Sequence, residues 1–176
     1  GMLPTLCLGF ADFLGIPSAL QTAWLAASAL CGDSLLLPLA GCMASTLLRL
    51  VWGLAPRWWL LLSWVLMGLA PRLLFGKGVR RMMLGVGMAL LPFGLGACAG
   101  GAPREGVAAL AGMSMAVFAA PVFLHTLRIL HGRQPILHLE DRVALGFTGM
   151  LLLCGLSCVR FLGISAGGAV SAALAL

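Results

Sequence analysis

The charged residues of this chain are few and gathered into short groups, and the stretches between them are apolar runs of roughly the length that crosses a bilayer. Only 9% of residues are charged against 61% hydrophobic, with a mean hydropathy of +1.09. A soluble domain of 176 residues would lack the polar surface to cover itself. In lipid every backbone polar group must find an internal partner, so long apolar runs become helices. Strands of an outer-membrane barrel would alternate polar and apolar residues, and these runs do not. The expected class is all-α: one multi-pass helical membrane domain over residues 1–176, with about seven or eight transmembrane or partly spanning helices.

The breaks define the runs. Residues 2–16 and 18–30 are separated by Gly15 and Pro17. Each gives about 20–22 Å of helix against a hydrocarbon core of about 30 Å. They are two tilted short spans, a re-entrant pair or one long kinked helix. Residues 35–54, 58–75, 82–99, 107–130 and 143–161 are read as spans, with Pro71 near the end of the second, Pro92 inside the third and Pro121 inside the fourth. Ala55-Pro56-Arg57 and Gly100-Gly101-Ala102-Pro103 are loop signals. A polar connector runs from His131 to Arg142, and the final run, residues 164–176, reads as a span cut short. That ending, and an opening Gly1-Met2 without the basic region of a signal peptide, are expected of an excised or truncated piece of a longer protein.

Basic residues set the expected orientation. Arg72, Lys77, Arg80 and Arg81 crowd one connector, and Arg128, Arg133 and Arg142 crowd another two spans later. Both connectors, 72–81 and 128–142, are therefore assigned to the cytoplasmic side of a cell membrane. Arg104-Glu105 and Arg57 fall on the outer side, where Trp52, Trp58 and Trp59 suit an interfacial aromatic belt. Two short initial spans put the N-terminus inside; a single span puts it outside. The net charge of +6 is accounted for by orientation and requires no nucleic-acid partner.

Few residues invite a chemical role. Asp12 lies within the first apolar run, where a charge costs about 2.5–3.5 kcal/mol at bilayer centre, so it is a candidate proton or cation relay. The favoured account is that its carboxylate reaches interfacial water near Gly15-Ile16-Pro17. Asp33, after Gly32, reads as a solvated loop residue or cap. His125, His131 and His138, with Glu140 and Asp141 behind them, sketch a metal site without the i, i+4 spacing of a helical zinc motif, and a solvated connector is the simpler reading. Glu140 and Asp141 open a helix, where carboxylates are favoured by about 0.3–1 kcal/mol each.

Cys7, Cys31, Cys42, Cys98, Cys154 and Cys158 are read as small packing residues; no CxxC pair occurs. Gly96-x-x-x-Gly100 and Gly163-x-x-x-Gly167 allow close helix approach, within the chain first and between copies second. No phosphate loop, nucleophile elbow or HExxH helix is present, so no catalytic, cofactor or metal residue is assigned.

One resemblance extends this reading. Pro121-Val-Phe-Leu-His-Thr-Leu-Arg-Ile-Leu, Leu137-His-Leu-Glu140-Asp141-Arg-Val-Ala-Leu, Leu153-Cys-Gly155-Leu and Gly163-Ile-Ser-Ala-Gly167 resemble the N-terminal membrane region of the stage II sporulation protein E family. The segment from Met2-Leu-Pro-Thr to Gly9-Phe-Ala is similar to its opening helix. The resemblance implies a membrane region of about ten spans, then a central region and a cytoplasmic PP2C-type serine phosphatase. It also implies that the membrane part anchors, localises and assembles the enzyme at the division septum during endospore formation, among cell-division proteins. This chain departs from the pattern in lacking the central region and the phosphatase. Asp12, Asp33 and Asp141 make no constellation for two catalytic metals.

The leading expectation is thus a membrane-anchoring and assembly domain of a sporulation phosphatase, in contact with the lipid bilayer and able to self-associate through small-residue faces. The alternative is a small multi-pass transporter or substrate-binding membrane subunit built on Asp12 and Pro-broken helices. A membrane-embedded enzyme comes third.

Overall fold

The computed structural model describes residues 2–10, 19–32, 34–51, 58–69, 79–100, 103–132, 138–157, 160–161 and 164–165. Among them are seven helices: α1 (Met2–Phe10), α2 (Leu20–Cys31), α3 (Leu36–Val51), α4 (Trp58–Leu69), α5 (Val79–Ala99), α6 (Pro103–Leu130) and α7 (Leu139–Ser157). Two of these, α5 and α6, are long and apolar enough to cross a membrane. Their 21 and 28 residues give about 32 and 42 Å of helix. The other predicted runs yield shorter helices; α3 has 16 residues and α4 has 12, about 24 and 18 Å.

The helix ends move the predicted boundaries in both directions. Pro103 starts α6 four residues earlier than the apolar run, because Pro suits the first helical position, where its missing N–H costs nothing. Arg80 and Arg81 lie in the first turn of α5 and not in a connector. Pro92 and Pro121 sit inside α5 and α6, which run through them as single helices. The run 143–161 is corrected at its end: the helix stops at Ser157, and Arg160–Phe161 pairs antiparallel with Ile164–Ser165. The proposed last span 164–176 therefore opens in strand, and the rest of it lies outside the described residues. Phe161 and Ile164 flanking Gly163 have the aromatic and β-branched composition that favours a strand pair over a helix.

At the centre is α2. Leu20–Ser28 and Cys31 are all buried, as expected of a helix that is apolar nearly all round. It ends on Gly32, whose φ of 78° no β-carbon would tolerate well, with the Gly32 N–H bonded to Ala29 O at 3.3 Å. The longest helix, α6, packs along α2 and α5, and Trp24 meets Phe123 edge to face at 5.2 Å. On the other side α1 packs on α3 and α7, and α4 packs on α5. Gln21 Nε2 donates to Thr5 O at 2.7 Å, so α1 and α2 lie side by side. One continuous helix would hold those residues about 24 Å apart, which removes that alternative.

Glycine makes the tightest of these approaches possible. A β-carbon on Gly155 of α7 would overlap the backbone of Cys7, and one on Gly41 of α3 would overlap Thr5 and the carbonyl of Met2. On α5, Gly96 receives the Trp59 ring and Gly94 receives Met113. Gly100 meets only its own helix carbonyls, so the Gly96-x-x-x-Gly100 pattern serves α4–α5 packing through its first glycine. Gly163 and Gly167 lie outside the described residues.

Candidate functional site

Polar groups converge where α7 begins against the closing turns of α6. His138 caps α7: its carbonyl takes the Asp141 N–H at 3.1 Å, and its own N–H donates to Asp141 Oδ2 at 3.1 Å. That reciprocal pair fixes the helix start, as in a capping box with Asp at the third helical position. The second carboxylate oxygen, Oδ1, accepts a hydrogen bond from His125 Nε2 on α6. Asp141 is buried while its neighbour Glu140 is exposed, so the two acidic residues have different work. Next to this pair, Thr126 Oγ1 is 3.0 Å from Thr148 Oγ1 and donates to Ala144 O at 3.3 Å.

These bonds define how the helices meet. Adjacent residues of α6, His125 and Thr126, reach Asp141 and Thr148 of α7. Those two are seven residues apart, about 10 Å along α7. Between α6 and α7 lies a groove of about 650 Å³, floored by Leu20 and walled by Phe118, Val122, Val143 and Phe147, with Glu140 as its one charged lining residue. A smaller apolar groove of about 450 Å³ lies between α4 and α5 over Trp59, Pro92 and Gly96.

A second polar cluster lies in the interior. Gln21 Nε2 donates to Thr5 O and to Ser45 Oγ, at 2.7 and 2.9 Å, and Ser45 Oγ donates to Cys42 O at 2.7 Å. Trp64 Nε1 donates to Thr22 Oγ1 at 3.2 Å. These bonds tie α1, α3 and α4 to the central helix. A single hydrogen bond contributes about 0.5–1.5 kcal/mol net, so these bonds set register more than they add stability.

Of the residues singled out in the sequence, Asp12, Asp33, Trp52, Arg57, Arg72, Lys77, Arg133 and Cys158 lie outside the described residues. The sketched metal group comes apart. His125 and Asp141 meet, His138 contributes its backbone, and the His131 ring bonds to Leu127 O at 2.7 Å. Among the described residues no three His, Cys, Asp or Glu side chains are grouped to hold a metal. The sequence reading gave Asp141 a helix-end role and missed its partner sixteen residues earlier. The available signal was His125 itself, an ionisable residue within a membrane-length apolar run and therefore in need of a partner. Thr126, Thr148, Gln21 and Ser45 carried no comparable signal.

No family model matches the chain, and neither a curated protein nor a solved structure is significantly similar to it.

Proposed function

We propose that this chain is a multi-pass membrane domain whose role is anchoring and assembly. The observation that carries the reading is its apolar exterior. On α5 the exposed positions Leu84, Met88, Leu91 and Leu95 recur at four, three and four residues, a continuous apolar stripe. Polar side chains point the other way: Gln21, Thr22, Ser45, Thr126, Asp141 and Thr148 are buried, each bonded to another helix or to a helix end. An apolar exterior over a mainly apolar core, with these buried polar side chains hydrogen-bonded, suits hydrocarbon as solvent.

In this reading the shorter helices α1 to α4 are tilted or partial spans packed around α2. The Arg80, Arg128 and Arg142 end is cytoplasmic, and the Trp58–Trp59 end is external. Resemblance to stage II sporulation protein E adds that the domain positions a serine phosphatase at the division septum. The Pro-broken helices that a transporter would use do not favour the alternative, since α5 and α6 continue through Pro92 and Pro121.

The test is extraction and topology. The chain should stay in the membrane pellet at alkaline carbonate. Alkaline phosphatase fused in the 100–103 turn should be active, and green fluorescent protein fused at 131–138 should fluoresce. Release into the carbonate supernatant would refute the membrane reading, and the reverse reporter pattern would refute the orientation.

A further inference from the structure

The described members of the two basic groups, Arg80 and Arg81 of one and Arg128 and Arg142 of the other, come together at one end of the helix bundle. α5 ends at Ala99 and α6 begins at Pro103, and the two helices pack along each other, so α6 runs back along α5. Counted from those two residues, Arg80 and Arg128 end within about 9 Å of each other along the axis. The His125–Asp141 bond then holds the start of α7, with Arg142, on the last turns of α6. Arg80, Arg81, Arg128 and Arg142 are all exposed, and among the described residues none is in an ion pair. Among the described residues the exposed carboxylate at that end is Glu140, so cations are in excess there. At the opposite end Arg104 stands beside Glu105.

Two features go beyond what orientation alone requires. Arg80 and Arg81 occupy the first turn of α5, which holds no acidic residue and where the helix dipole disfavours a cation. An external anion is the natural compensation. Moreover, all four of these exposed cations are arginine, as are ten of the chain's eleven basic residues. Membrane orientation reads charge and accepts lysine equally. Planar, bidentate recognition of a phosphate is what arginine offers over lysine.

We propose that this end of the domain is a binding surface for the phosphate headgroups of anionic phospholipids, held by the guanidinium forks of Arg80, Arg81, Arg128 and Arg142. The inference rests on the membrane reading above and names the partner of its basic face. It gives the anchoring role a lipid preference: the domain gathers anionic lipid around itself and is retained where that lipid is abundant.

The experiment uses the full chain reconstituted into phosphatidylcholine vesicles. Electron spin resonance then measures how strongly spin-labelled phosphatidylglycerol is immobilised relative to spin-labelled phosphatidylcholine. The wild type should prefer phosphatidylglycerol by about threefold or more at low salt. The quadruple variant Arg80→Lys, Arg81→Lys, Arg128→Lys, Arg142→Lys should lose at least half of that preference while remaining carbonate-resistant with unchanged topology. Sodium phosphate should lower the preference no more than sodium chloride of equal ionic strength. Equal immobilisation of the two lipids by the wild type, or full preference retained by the lysine variant, would overturn the proposal. So would displacement by phosphate beyond the chloride effect, which would mark a soluble-anion site. A wild type that fails to integrate into vesicles would overturn the membrane reading itself, and that failure is distinguishable because it precedes any lipid comparison.

Discussion

Asp141 of α7 accepts a hydrogen bond from His125 of α6 on one carboxylate oxygen and from its own helix cap, the His138 N–H, on the other. One side chain thereby sets both where α7 begins and what it lies against. Removing Asp141 takes the acceptor from two donors, whereas removing His125 takes one donor from Asp141. Asp141→Ala should therefore cost about 2–3 kcal/mol and His125→Ala about 1 kcal/mol. The double variant should show a coupling of about 0.5–2 kcal/mol in reversible unfolding in micelles. Glu140→Ala, at the exposed neighbour, should stay within about 0.5 kcal/mol. Equal effects at Glu140 and Asp141 would mean that both act only through the helix dipole.

Glycine substitutions should divide by what each residue faces. Alanine at Gly155 or Gly41 drives a methyl into the backbone of α1, which cannot yield without moving the helix, and should cost about 1–3 kcal/mol. Gly146 and Gly149 face open space on the same α7, where alanine should be neutral or should stabilise by up to about 1 kcal/mol through helix propensity. Melting temperatures of the four single variants in one detergent test the difference in sign.

Gly96 and Gly100 should differ in the same way despite sharing a motif. Gly96→Ala must displace the Trp59 indole and should shift tryptophan emission, while Gly100→Ala should leave emission unchanged. Neither should alter the oligomeric state measured by light scattering. A change of oligomeric state in both variants would assign the pair to a contact between copies.

Gln21 can be tested with the sign of a pH effect. Its amide donates to Thr5 O, which can only accept, so Gln21→Glu places a carboxylate against a carbonyl and should destabilise more than Gln21→Leu. The leucine variant should lose about 1 kcal/mol, consistent with two interhelical bonds. Acidification should restore the glutamate variant selectively, because the protonated carboxyl regains a donor for Thr5 O. Unfolding followed by circular dichroism at neutral and acid pH reads both effects.

Much of the chain's organisation was legible from short-range pattern. The Gly100–Pro103 break, the helix start at Glu140-Asp141 and the apolar runs behind α5 and α6 were all visible, because each depends on residues adjacent in sequence. Helix ends were less legible. Val143–Phe161 reads as one apolar run, yet the helix ends at Ser157, since hydropathy does not register a preference for strand in Phe161 and Ile164. The candidate site was legible only in parts: His125 and Asp141 were noticed separately, and nothing in their spacing joined them.

The sequence by itself determined the helical class, the division into apolar runs and the gathering of arginines. The helical class and the runs follow from the need to pair backbone groups along long apolar stretches. Only the tertiary structure decided that α2 is central, that Asp141 is buried while Glu140 is not, and that Gly155 and Gly41 are contact points while Gly146 and Gly149 are open. The physical reason is that these properties belong to pairs of helix faces. A face acquires its role from the partner placed against it, and that partner lies one or more helices away along the chain.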